Sequence, residues 1–298
     1  MKILITGATG FIGANLARRL HENFSAEGPL CPARAELDLH DAAAVADYLH
    51  RHRPGKIVHL AASIAKGEGE AGRAAQWRDT FTAGRVLLEQ AAAAGVPHLL
   101  MAGTVAELGN AAGVLAPELP TAPRSTYGLC KALLMQYARF TARHSPLRVD
   151  WFRPFTVYGP GQTGPMMIPV AFAAAVNKAP ADFTDGVQQR DFLYIDDLLD
   201  WLTLALQINP AGPGEFHLHH LGTGIGTPVS EVLAAIAAEF PGARFNLGAV
   251  PRRPDEPLSQ VAPPYRADDP ALAPWSARTP WREGIARTAD AWRLHKPC

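Results

Sequence analysis

Apolar and polar positions along the chain change their period several times, and each change marks an element. Ile3-Leu4-Ile5 is a short continuous apolar run, the pattern of a strand buried on both faces. Gly7, Gly10 and Gly13 follow, three apart, and from Asn15 to Leu20 apolar positions recur at helical spacing. This predicts a strand, a tight turn and a helix start. Gly28 to Arg34 occupies the place of a second strand, which Pro29 and Pro32 make short or irregular. Asp41 reads as the N-cap of a helix from Ala42 to about His52, stopped before Pro54. Residues 56–60 read as another strand, which runs into the small Ala61, Ala62 and Ser63. Residues 66–72 are polar and glycine-rich and read as a loop. Residues 79–94 have a helical pattern ended by Gly95-Val96-Pro97, and the strand at 98–102 delivers Gly103 and Thr104 at its carboxyl end.

Tyr127 opens a further helix through Met135, Tyr137 and Phe140, and Trp151 to Pro154 reads as a strand. Asp196 and Asp197 stand where they would cap a helix at 198–207, and a packed helix is expected at 229–240. Strands alternating with helices at this spacing predict an α/β fold: a Rossmann-type doubly wound parallel sheet with ligands at the strands' carboxyl ends, and a smaller C-terminal substrate-binding region. On this reading residues 1–162 are the dinucleotide-binding domain, to which 189–209 return. Residues 163–188 and 210–298 are mainly the substrate-binding region.

Composition narrows the partners. The 298 residues suffice for a full core, and 28 Lys+Arg balance 28 Asp+Glu, so no net field recruits nucleic acid or an anionic membrane. Small molecules are the expected partners. Cys31, Cys130 and Cys298, odd in number and far apart, form neither a disulfide framework nor a zinc pattern. No signal-peptide pattern and no run of about 18 apolar residues is present, so a soluble cytoplasmic protein is expected. His217, His219 and His220 lack a matching acid or thiol set and are read as structural, with no metal site. Trp275, Trp281 and Trp292 are expected to close the core.

The three glycines carry the first candidate chemistry. Gly7 permits the turn, Gly10 lets a diphosphate approach the backbone, and Gly13 lets the helix pack on the strand. Thr9, Phe11 and Ile12 complete this phosphate-facing turn and helix N-terminus. The implied cofactor is NAD(H) or NADP(H). An arginine after the second strand can hold the 2′-phosphate of NADP, and Arg34 is the candidate, with the nearest acid, Glu36, two residues later. Asp38 and Leu39 stand where an acid accepts from the adenine amino group, and Leu60, Ala61 and Ala62 would lie against the cofactor. Tyr127 and Lys131, four apart on a helix, share a face, and a nearby ammonium favours the phenolate of a tyrosine whose ordinary pKa is about 10. Tyr127 is thus a candidate acid or base. Lys131 can also hold the nicotinamide ribose, and the Thr104 hydroxyl can orient a substrate oxygen.

Nearly the whole chain resembles the extended short-chain dehydrogenase/reductase family, in its branch acting on nucleotide-activated sugars. The resemblance rests on Thr6-Gly-Ala-Thr-Gly-Phe-Ile-Gly13, His59-Leu-Ala-Ala62, Tyr127 with Lys131, Arg153-Pro-Phe-Thr-Val-Tyr-Gly-Pro-Gly-Gln162 and Arg190-Asp-Phe-Leu-Tyr-Ile-Asp-Asp197. It implies Tyr127 as catalytic acid/base, Lys131 on the nicotinamide ribose and Thr104 assisting. It also implies a nucleotide-sugar substrate, and a homodimer built by the helices at 82–94 and 127–143. Arg190 would reach the substrate's diphosphate or ribose, and Arg253-Pro-Asp255 is similar to the family's Arg-x-Gly-Asp phosphate contact, with proline replacing glycine.

Two departures follow Thr104. The paired serines and Val-Tyr-Gly of the family are replaced by Gly103-Thr-Val-Ala-Glu-Leu-Gly109, and Val105-Ala106 stand where 4,6-dehydratases carry Asp-Glu. Elimination of water is therefore disfavoured. With Arg34 as an NADPH determinant and a ketoreductase-like segment from Ala181 to Phe192, the leading expectation is reduction of a 4-keto-6-deoxyhexose nucleotide. The alternative is an NAD-dependent 4-epimerase using the same residues. A non-catalytic dinucleotide sensor is disfavoured by the intact Tyr127, Lys131 and Thr104.

Overall fold

The computed structural model describes residues 2–23, 28–63, 69–210, 212–267 and 269–294, so Cys298 and part of the expected loop around Lys66 lie outside it. β1 (Ile3–Thr6) is buried throughout and passes through the glycine turn into α1 (Phe11–Asn23). The expected second strand is a single parallel bridge, Leu30 to Leu4. Leu30 N–H donates to the Ile3 carbonyl at 2.8 Å and Ile5 N–H to the Leu30 carbonyl at 2.9 Å. Prolines at 29 and 32 offer no donors to extend it. α2 (Ala42–His52) begins at Asp41, whose carboxylate accepts from the Ala43 and Ala44 amides, and β2 (Lys56–His59) pairs with the other edge of β1. The strand order reverses at β1, which opens a crevice beyond the carboxyl ends of β1 and β2.

α3 (Glu70–Gln76), a π-helical stretch (Trp77–Thr82) and α4 (Ala83–Ala93) form one continuous helical run. β3 (His98–Ala102), the short β4 (Gly113–Val114), α5 (Thr126–Arg143) and β5 (Arg148–Pro154) follow. The helical run starts well before the expected Asp79 because α3 and the π-helical stretch pack on α5, a contact that overrides the loop propensity of Gly72. The remaining elements are β6 (Thr156–Tyr158), α6 (Met167–Val176), β7 (Pro180–Phe183), β8 (Gln189–Tyr194), α7 (Ile195–Ala205), β9 (Phe216–Leu221), β10 (Gly226–Pro228), α8 (Val229–Glu239), β11 (Arg244–Leu247), β12 (Ser259–Val261) and α9 (Trp281–Leu294).

The central sheet runs β1-β2-β3-β5-β9, every pair parallel, as a Rossmann-type α/β fold requires. A second sheet runs β10-β8-β12-β4 with β6 on β8, and β7 pairs with β11. Two placements differ from the sequence reading. β9, assigned to the substrate region, is the fifth central strand, and β8, expected to rejoin the first domain, lies in the second sheet, although α7 after it packs on α1. Side-chain periodicity marks a strand without naming its partner.

One apolar cluster includes Leu16, Leu20, Phe152, Phe172, Trp201 and Ile236, and the other includes Leu49, Leu87, Leu134, Val149 and Trp151. Phe152 and its neighbour Trp151 fall in different clusters, so β5 feeds both faces of the sheet, each such side chain contributing about 1.5–3 kcal/mol. Trp275 is buried, and Trp281 and Trp292 pack partly buried against the first cluster. Asp196 and Asp197 do not cap their own helix. Asp197 accepts from the Arg278 and Thr279 amides at 3.2 and 3.1 Å, fixing the segment before α9, and Asp196 pairs with Arg19 at 2.7 Å. His219 bonds Asp150 at 2.8 Å, and His220 bonds the Leu115 carbonyl at 2.8 Å. No helix among the described residues is long and apolar enough to cross a membrane.

Candidate active site

The glycine turn is built by close approach. Gly7 has φ +77°, and a Cβ there would stand 2.6 Å from the Ala61 amide nitrogen. A Cβ on Gly13 would meet the Gly7 carbonyl oxygen at 2.2 Å. Side chains at these positions would push α1 off the turn and fill the space beside residues 60–61. The first amides of α1, at Phe11, Ile12 and Gly13, are left to face a ligand, while the Phe11 and Ile12 side chains pack on the core.

Beside this turn lies a cleft of about 420 Å³, lined by residues 6–9, 32–34, 37–40 and 61–63 together with Asp79 and Ala83. The turn, the backbone of Ala61 and Ala62 and this elongated lining fit the diphosphate and adenosine of a dinucleotide. Gly7, Thr9, Arg34, Asp38, Leu39, Ala61 and Ala62 line the cleft. Gly10 and Leu60 do not line it; backbone bonds tie them to residues that do, Gly10 N–H to the Gly7 carbonyl at 3.0 Å and Leu60 N–H to the Thr6 carbonyl at 3.0 Å.

Arg34 is exposed at the rim and faces Asp79 of the π-helical stretch at 3.7 Å. Arg78 grips the same carboxylate with Nε and Nη2, both at 2.9 Å, and His40 Nε2 stands 3.1 Å from it. The Arg78 hydrogen bonds hold the Asp79 carboxyl below its usual range. Asp38 accepts from the His40 amide and ring, which lower its pKa in the same way. The cleft's outer end is therefore a neutralised charge cluster rather than a free arginine. Asp79 carries no motif of its own in the sequence; only its helix could be anticipated.

Thr104 caps a short 3₁₀ turn (Val105–Leu108): its Oγ1 accepts from the Ala106 amide at 3.2 Å, and its own amide donates to Glu107 Oε1 at 2.8 Å. With its lone pair so engaged, the hydroxyl proton is free to donate. α5 begins at Ser125, whose hydroxyl accepts from the Gly128 amide at 3.1 Å. Gly128 lets α5 abut the Thr104 turn, since a Cβ there would lie 2.4 Å from the Ala106 carbonyl oxygen. The first turn of α5, with Tyr127 half-buried, thereby meets the end of β3. Lys131, one turn further, is fully buried and donates from Nζ to the Ala102 carbonyl at 2.7 Å. Tyr127, Lys131 and Thr104 are thus gathered at the carboxyl end of β3, beside the strand whose continuation lines the cleft.

The expected effect of Lys131 on Tyr127 is corrected by this geometry. Burial, reinforced by the Glu107 carboxylate, pushes the Tyr127 phenol up to about 12. Burial lowers Lys131 to about 8, with Glu107 pulling the other way. Desolvation is the largest influence on both groups. His59, beneath them at the end of β2, is fully buried, shares a 2.7 Å hydrogen bond with Thr6 Oγ1, and is held neutral, its pKa brought to about 3 by burial and by Lys131.

In the second sheet Arg190 is bound to Glu256 at 2.8 Å and to the Gln189 and Pro257 carbonyls at 2.9 Å. Burial lowers its pKa, Glu256 opposes that, and Arg253 stands near enough to add to the lowering. Arg252 pairs instead with Asp185 at 3.1 Å, and Asp255 with Arg124 at 3.1 Å. Glu107, Glu256 and Arg124 were missed in the sequence. Only Glu107 left a signal, the Thr-x-x-Glu capping box from Thr104.

Comparison with known proteins agrees with this architecture. The model of a family described as the NAD dependent epimerase/dehydratase family matches residues 3–218. The chain is 29% identical over 329 aligned positions to a UDP-glucose 4-epimerase of Rhizobium meliloti, covering 98% of this chain and 96% of that protein. It superposes on MoeE5 in complex with UDP-glucose and NAD with a TM-score of 0.82 and 28% identity, over 99% of both chains. A Thermus thermophilus UDP-glucose 4-epimerase in complex with NAD gives a TM-score of 0.82 at 25% identity, over 98% of this chain and 99% of that one.

Proposed function

We propose that this chain, which belongs to the NAD-dependent epimerase/dehydratase family within the extended short-chain dehydrogenases/reductases, inverts carbon 4 of a UDP-hexose using NAD. The observation that carries the reading is the convergence of Thr104, Tyr127 and Lys131 beside the glycine cleft, with no carboxylate at 105 or 106 to eliminate water. The relatives are mostly UDP-glucose 4-epimerases, and Arg34 at the exposed rim faces the Asp79 carboxylate at 3.7 Å. Both favour the epimerase over the 4-keto-6-deoxyhexose reductase expected first.

Bound NAD supplies hydride acceptance and return at the sugar carbon. The chain's own part is proton handling and orientation. In the complex with NAD and substrate Tyr127 acts as the phenolate: its Oη takes the proton of the 4-hydroxyl as that carbon is oxidised, and the phenol so formed gives it back when the carbon is reduced on the other face. The Thr104 hydroxyl donates to the same sugar oxygen and stabilises charge on it. Lys131 holds the nicotinamide ribose, and Gly7 to Gly13 with Ala61 and Ala62 hold the diphosphate and adenosine. Arg190 and Arg253 take the sugar nucleotide's diphosphate, from a substrate region drawn mainly from residues 163–188 and 210–298. The exposed Leu129, Leu133 and Phe140 on one face of α5, with Trp77 exposed before α4, support a homodimer through these helices.

Tyr127→Phe tests the reading: turnover falls by about 10²-fold or more while NAD stays bound. Turnover unchanged in that variant removes Tyr127 from the chemistry.

A further inference from the structure

Glu107 has no role in the reading above, yet it lies at the base of the site. Its carboxylate is wholly buried. Oε1 accepts from the Thr104 amide at 2.8 Å and from Trp151 Nε1 at 3.2 Å, and Oε2 accepts from Arg153 Nε at 2.7 Å and pairs with the Nη2 charge at 2.7 Å. Burial raises the Glu107 pKa and Arg153 opposes the rise; each of these groups is a donor, so the arrangement suits the ionised acid, whose proton would otherwise be aimed at another donor. Arg153, equally buried, completes its shell with His220 Nε2 at 3.1 Å and Met135 Sδ at 3.0 Å. His220 gives its Nδ1 proton to the Leu115 carbonyl and so accepts the arginine with Nε2.

This platform explains a departure in the sequence. A Cβ on Gly103 would stand 2.2 Å from Trp151 Nε1 and 2.7 Å from Glu107 Oε1, so the first serine of the usual pair has no room here. A capping-box glutamate at an exposed helix end is solvated; this one is an ion pair taken out of water, which fold stability alone does not favour.

We propose that Glu107 is a positioning residue of the site, whose buried negative charge, seated on Arg153 and Trp151, fixes Thr104 and supplies the counter-charge for the Lys131 ammonium. The titratable and charged groups around this centre are Tyr127, Cys130 and Lys131 on α5, Arg153 on β5, His220 on β9 and His59 on β2. Among the described residues Glu107 is the one carboxylate whose charge raises both Tyr127 and Lys131; the Cys130 thiol also acts on Lys131. The catalytic meaning of the proposal rests on Tyr127 as the acid/base.

The test follows Lys131 by ¹³C-lysine NMR on the intact protein without substrate, its signal identified by its loss in Lys131→Met. In the wild type the signal titrates near pH 8. In Glu107→Gln the midpoint falls by about one unit, the alkaline limb of kcat/KM moves down with it, and Glu107→Asp restores both. Because Glu107→Gln leaves a lone buried guanidinium, the double variant Glu107→Gln, Arg153→Met is measured alongside and gives the same fall. A Lys131 midpoint unmoved in either neutral variant overturns the proposal. An NMR shift as expected, in a protein whose Tyr127→Phe form retains turnover, overturns the catalytic reading alone.

Discussion

Lys131 should weaken the fold that it serves. Its ammonium is fully buried with a carbonyl as its hydrogen-bond partner, and its pKa drops from 10.5 to about 8. At about 1.4 kcal/mol per unit this is a penalty of about 3 kcal/mol on the folded state. The unfolded chain keeps its proton up to pH 10.5, so the penalty is complete below pH 8 and is relieved as pH rises from 8 toward 10.5. At pH 10 about 1 kcal/mol remains. Lys131→Met removes the penalty and forfeits the bond to Ala102, which costs about 1–2 kcal/mol. Urea unfolding of nucleotide-free protein should show the variant more stable by about 1–2 kcal/mol at pH 7, with the difference falling by about 2 kcal/mol at pH 10. A difference between variant and wild type that is the same at both pH values refutes the assignment of a strained, desolvated ammonium.

Asp79→Ala frees Arg34, and titration should show NADPH affinity gaining about tenfold relative to NADH, about 1.4 kcal/mol; an unchanged ratio removes this pair from cofactor selection. His59 is neutral in the fold down to about pH 3, whereas the unfolded chain binds its proton near pH 6.5. Stability therefore falls as pH drops below 6.5, by about 2 kcal/mol at pH 5. His59→Asn should flatten that part of the pH–stability curve in denaturant titrations, and an unflattened curve assigns the acid sensitivity elsewhere. Leu133→Arg places a charge on the exposed face of α5 and should yield monomers in light scattering; a dimer that persists excludes that face as the interface.

The dinucleotide half of the molecule was legible because each part of it is local. The apolar run of β1, the three glycines and the cap at Asp41 act within a few residues, and they reappear where expected. Thr104, Tyr127 and Lys131 were legible because one follows a strand directly and the others share a helix face. What escaped depends on partners distant in sequence. Asp79 reaches the cleft only because α3 and the π-helical stretch dock on α5, and Glu256 meets Arg190 only through the pairing of β12 with β8. The membership of β8 and β9 in their sheets is of the same kind. The raised proton affinity of Tyr127 was hidden for a related reason, since a spacing of four shows the ammonium but not the burial or the carboxylate below it.

The central claim is an internal redox cycle at a sugar carbon, and it is tested by giving the purified protein UDP-glucose with no added nicotinamide nucleotide. The account predicts that UDP-galactose appears and approaches an equilibrium mixture, with bound NAD recovered unchanged at the end. If the protein instead leaves UDP-glucose untouched and consumes NADPH in step with reduction of a 4-keto sugar nucleotide, the epimerase reading is contradicted.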